Sequence, residues 1–193
     1  MKAHIQEGKS LFNINTSNPQ FAVLQVLNID TNEYKDTAVK MFYSDVTLNE
    51  RAQAAILKMG NINDEINSKL DLDNIKAEAE KQASEVKDST HLSDEDIEAV
   101  KAYSLSATLL LAQTKIAKEA EVEFNKLFGE GALASIVQAQ FGTCFTPDLL
   151  TITQYVSVIA TLGTTLVTKR LGESYSELKK SAEKYTERYN ANV

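Results

Sequence analysis

Cysteine and histidine are almost missing from this 193-residue sequence, which holds one cysteine, Cys144, and two histidines, His4 and His91. A structural zinc site gathers about four ligands and a disulfide needs two thiols, so both are excluded. No metal and no cofactor is expected. A nucleophilic Cys144 would need a histidine and an orienting acid beside it. Both histidines sit in polar stretches, so Cys144 reads as a small buried or half-buried thiol with no histidine in reach. Nothing else in the chain carries a reaction, and it is read as a protein that is not an enzyme.

Other signatures are missing as well. Phe128-Gly-Glu-Gly lacks the following Gly-Lys-Ser/Thr and the preceding strand that a phosphate loop requires. Its glycines read as helix punctuation, with Gly129 stopping one helix in the left-handed region and Gly131 opening the next. The acidic groups at Asp71 and Asp73 and from Asp94 to Asp96 have no EF-hand spacing and no central glycine, so calcium is not indicated. The phenylalanines have no adjacent Lys or Arg and read as core instead of base-stacking platforms.

The net charge is −7, and residues 61 to 100 hold twelve Asp or Glu against four Lys, a balance near −8. Such a segment repels a phosphate backbone. Lys169, Arg170, Lys179, Lys180, Lys184 and Arg188 alternate with four glutamates, the pattern of a solvated helix face. No nucleic-acid partner is expected. The first twelve residues carry no long apolar run, so the expected location is the cytoplasm of the producing cell.

What is present is mostly helix. Residues 1–60 read as a strand-plus-helix region, 61–92 as an acidic polar helix or linker, and 93–193 as a helical region. SLFNIN and FAVLQVLNI, parted by Thr16-Ser17-Asn18-Pro19, fit two short strands. In the second, Phe21, Val23, Gln25, Leu27 and Ile29 share one face while Leu24 and Val26 take the other, which implies burial on both sides or the start of a helix. Tyr34, Ala38, Met41 and Phe42 are spaced for a helix begun by Asp30 or Thr31. Thr47 and Glu50 form a capping-box pattern, and Gly60 supplies a stop. Ser93, followed by Asp94, Glu95 and Asp96, is a strong N-cap for a helix reaching Phe128, with a break allowed near Ser104 to Thr108. Thr146-Pro147 reads as an N-cap with proline at the first helical position. Leu149 to Thr168 then has no charge, but half its residues are Thr, Ser, Gln, Tyr or Gly. It reads as a buried core helix or a surface for a partner helix; no stable membrane insertion is expected, with a membrane span as the alternative. The expected fold is mainly α, a helical body with a small N-terminal β element and long amphipathic helices.

The run FNKLFGEGALASIVQAQFGTCFTPDLLTITQYVSVIATLGTTLV, followed by a charged helix containing Tyr185 and Arg188, resembles the tail assembly chaperones of long-tailed phages of Gram-positive bacteria. The resemblance covers about seventy residues. It rests on Phe128, Gly129, Gly131, Phe141 and Gly142, with Tyr185 and Arg188 as further matches. Phe145 and Pro147 complete this set of structural turns and partner-contact candidates. The resemblance implies a non-enzymatic factor that engages tape-measure or tail-tube proteins during assembly in the host cytoplasm. A structural component of the virion, in capsid, neck or tail, is the alternative, followed by a membrane-associated protein. A homo-oligomer stays open.

Overall fold

The computed structural model describes residues 9–68, 70, 72–89 and 93–190, with the backbone alone at 72, 87–89 and 184–190. Among the described residues three strands, β1 (Phe12–Asn15), β2 (Phe21–Leu27) and β3 (Tyr34–Phe42), are followed by five helices. These are α1 (Leu48–Ser68), α2 (Leu72–Ser89), α3 (Asp94–Phe128), α4 (Ala132–Phe141) and α5 (Leu149–Asn190). The fold is mainly α with a small N-terminal sheet, as the sequence predicts.

The sheet is an antiparallel meander in the order β1-β2-β3. Along β2 the alternation is simple: Ala22, Leu24 and Val26 are buried and Phe21, Val23 and Gln25 are half-buried. The strand is no helix start; one face is core throughout, and the other is half-buried along most of its length and buried at Leu27, its last residue. On this second face Phe21 meets Phe42 edge-on, and Gln25 bridges the side chains of Asn13 and Asp36.

Tyr34–Phe42, expected as a helix, is the third strand. Its 4-and-3 spacing of Tyr34, Ala38 and Met41 is overridden by pairing with β2, which buries Val39 and Met41 on the core side. An irregularity between the Val23–Lys40 and Gln25–Asp36 pairs frees the Ala38 N–H from the ladder. That N–H donates to Ser135 Oγ of α4 at 3.0 Å, so the bulge is where helix and sheet are joined.

Gly60 does not end α1, which continues to Ser68 and buries Met59 and Ile66 on either side of it. A lone exposed glycine costs a helix about 1 kcal/mol, less than those two side chains return by burial. Thr47 forms no capping box either: its hydroxyl donates to Asp45, whose carboxylate also pairs with Arg51. The acidic stretch is a true helix, α2, antiparallel to α3. It has few large apolar groups and packs instead through Ala79 and Ala83, one turn apart. Ser93 caps α3 as expected, with a reciprocal box to Asp96. The two hydrogen bonds from Ser93 hold the Asp96 carboxyl below its ordinary value. Helix α3 runs unbroken through Ser104 to Thr108.

The core gathers Ala22, Leu24, Val26, Val39 and Met41 of the sheet with Met59, Phe124, Leu133, Ile136, Ile152 and Ile159 of the helices. Helix α5 approaches α1 closely at Gly163, where a methyl group would collide with Leu48. At the α1–α3 contact, buried Glu123 accepts from Lys58 and Lys126, each at 2.8 Å. Burial raises the Glu123 carboxyl, but these two ammonium groups outweigh it and hold the group below its ordinary 4.5. A depressed folded-state pKa contributes stability that is present above the unfolded value and lost as pH falls through the folded one. Thermal midpoints measured on descending pH below 4.5 are thus expected to drop more steeply for the wild type than for Glu123→Gln.

Candidate functional site

The glycine-marked corner begins where α3 ends. Gly129 has φ 108° and ψ 156°, a region open essentially to glycine alone, and its N–H donates to Asn125 O at 2.9 Å. Gly131, left-handed at φ 71°, starts α4 without a side-chain cap of its own. Asn125 supplies part of that function from the previous helix: its Oδ1 accepts from Leu133 N at 3.1 Å. One asparagine thus closes α3 with its backbone and opens α4 with its side chain. Alanine at Gly129 is expected to lower stability by about 1–3 kcal/mol, because a side chain is strained there although the space is empty. Urea midpoints of Gly129→Ala and wild type check this.

At the far end of α4, Gly142 is left-handed at φ 69° and its N–H donates to Gln138 O. The Gln138 side chain returns to Gly142 O at 3.0 Å and accepts the Cys144 thiol at 2.9 Å. Cys144 is exposed, which corrects the expectation of a buried or half-buried thiol: the turn after Gly142 leaves it outside the core. His4 and His91 lie outside the described residues. Each corner's phenylalanines pack within that corner, Phe128 on Phe124 at 4.8 Å and Phe141 on Phe145 at 5.2 Å between ring centroids.

Thr146 is not the cap of α5. Its hydroxyl donates to Glu121 at 2.9 Å, tying the corner to α3, and Pro147 beyond it is buried. Asp148 caps instead, its carboxylate accepting from Thr151 N at 2.8 Å and from the Thr151 hydroxyl. The competing signal was in the sequence, since aspartate is as good an N-cap as threonine.

Beneath the corner lies a buried polar chain that sequence patterns did not single out. Asn28, 2% exposed, donates to Ala139 O at 2.8 Å and accepts at Oδ1 from Thr31 N, Asp30 N and the Thr31 hydroxyl. Ile29 N donates to Gln140 O, and the Tyr155 hydroxyl donates to Gln140 Oε1 at 2.6 Å. Burial, then the charge of Asp148, pushes the Tyr155 phenol up, which keeps it a donor. The C-terminal end of α4 is thereby fixed to the β2–β3 turn and to α5.

On this hydrogen-bonded frame three apolar side chains face solvent. Phe145 and Leu150 flank Pro147, and Val122 follows Glu121, the residue that anchors Thr146. Of the matched positions, Phe128 and Phe141 are half-buried, the three glycines are exposed turns, and Tyr185 and Arg188 fall where side chains lie outside the described residues. Among the described residues no cluster of three His, Cys, Asp or Glu is placed for a metal. Among the described residues one helix, α5, is long and apolar enough to cross a membrane, yet Ile152, Tyr155, Val156, Ile159 and Ala160 are buried in the core. No known protein family, curated protein or solved structure matches the chain.

Proposed function

We propose that the chain is a non-enzymatic protein-binding factor, a phage tail assembly chaperone that engages tape-measure or tail-tube proteins. One observation carries the reading: the corner bearing the family-like motif presents Val122, Phe145 and Leu150 to solvent on a frame held by Asn125, Gln138 and Asn28. Exposed apolar side chains of this kind offer an apolar segment of a client somewhere to bury, and the charge of −7 keeps such a complex soluble. Co-expression tests it. Tape-measure or tail-tube protein is expected to be recovered in the soluble fraction several-fold more with the wild type than with Phe145→Asp plus Leu150→Glu, while the variant keeps its helical signal. Equal recovery with and without the chain would count against the proposal.

A structural part of the virion is the second reading, favoured by the long exposed end of α5. Mass spectrometry of mature particles separates the two: stoichiometric copies would favour the structural part, and loss of the chain on maturation the chaperone.

A further inference from the structure

We propose that the chain associates head to tail with copies of itself, the projecting end of α5 from one copy lying along the α2–α3 hairpin of the next. This goes beyond the chaperone reading and uses surfaces away from the Phe145 patch. After Val167 every residue from 168 to 183 is exposed, while the helix continues to Asn190. At 1.5 Å per residue the stretch from 168 to 190 is a rod of about 34 Å. Leu171, Tyr175 and Leu178, exposed at 57%, 72% and 70%, recur at intervals of four and three. The sequence continues that interval at Ala182, Tyr185 and Tyr189. A 3.5-residue apolar repeat is the seam by which a helix packs on other helices.

The hairpin offers a matching surface. Between α2 and α3 lies a shallow cleft of ≈ 470 Å³ lined by Ile75, Ala79 and Ala107, with Tyr103 and Leu111 exposed beside it. Helix α2, with 18 residues, gives that surface a length of about 27 Å, close to that of the rod.

Charge selects the pairing. Residues 169–190 hold six Lys or Arg against four Glu, a balance of +2. Residues 72–89 and 94–111 together hold nine Asp or Glu against four Lys, a balance of −5. Rod against rod would set like charge on like charge, whereas rod against hairpin is complementary.

The two surfaces also lie at opposite ends of the body. The Thr146–Glu121 and Lys58–Glu123 contacts set the start of α5 level with the middle of α1. Gly163, further along α5, lies against Leu48 at the first residue of α1. Helix α5 therefore runs antiparallel to α1 and emerges past its N-terminal end, whereas the hairpin follows its C-terminal end. A rod cannot fold back onto the hairpin of its own chain, and a contact joining opposite ends produces rings or filaments instead of a closed dimer.

Light scattering on the full chain tests this. At low salt the mass is expected to rise with concentration past twice 21.3 kDa, and to fall back as salt is added. Tyr175→Glu with Leu178→Glu on the rod, or Tyr103→Glu with Leu111→Glu on the hairpin, should each hold the chain at 21.3 kDa. An equimolar mixture of these two variants keeps one intact rod and one intact hairpin, so it should stop at twice that mass. Lys179→Glu with Lys180→Glu, which leaves the apolar seam in place, should weaken association about fivefold. A mass of 21.3 kDa at every concentration would overturn the proposal. So would association that survives the hairpin variant, or a mixture that stays monomeric while the wild type assembles.

Discussion

Replacing Phe124 by alanine is expected to destabilise the protein by about 3–5 kcal/mol, the largest effect of any single truncation considered. Phe124 has no exposed surface and sits where α3 meets the other helices and the sheet, its ring 4.8 Å from that of Phe128. Removing it takes away the burial of an aromatic ring and leaves a void that close-packed neighbours fill only in part. It also removes the support under Phe128, so the entry to the glycine corner should loosen. A domain of this size shifts its thermal midpoint by roughly 2–4 °C per kcal/mol, which places the expected drop at about 6–20 °C. The urea midpoint should fall with an unchanged slope, and Phe124→Leu, which keeps most of the volume, should lose less than half as much.

Asn28→Ala is expected to cost about 2–4 kcal/mol, because it leaves the buried Ala139 carbonyl without its donor and strips three donors of the β2–β3 turn of their acceptor. Asn28→Asp separates these contributions. The carboxylate still accepts from Asp30, Thr31 and the Thr31 hydroxyl but points a charged oxygen at Ala139 O. Protonation restores a donor at that position, so the penalty of Asn28→Asp should shrink as pH falls, while that of Asn28→Ala stays level. Chemical denaturation of the three proteins at neutral and mildly acidic pH reads both effects.

Legibility in the sequence followed the range of the interactions. Ser93 with Asp96, and the glycines at 129, 131 and 142, act within a few residues, and the positive φ values at the glycines follow from local sterics. Tyr34–Phe42 departs from its helical spacing because that spacing is local whereas its pairing with β2 is not. The same holds for Gly60, overruled by the burial of Met59 and Ile66, and for α2, whose alanines look like nothing to bury until α3 lies against them. The Asn28 chain was invisible for the same reason, since its partner carbonyl is 111 residues away. At the candidate site the turns were legible and the exposed trio was not, because the sequence does not tell which apolar residues a fold leaves outside.

The single thiol provides the most direct test of the assembly reading. Cys144 is exposed and adjoins Phe145, so a benzophenone maleimide attached there reports contact at the patch without altering the residues proposed to make it. Irradiation in the presence of tape-measure or tail-tube protein is predicted to give a crosslinked product. The same label at Leu57→Cys in a Cys144→Ser background, an exposed position on α1, should give none. No product from Cys144, or equal product from both positions, would contradict the account.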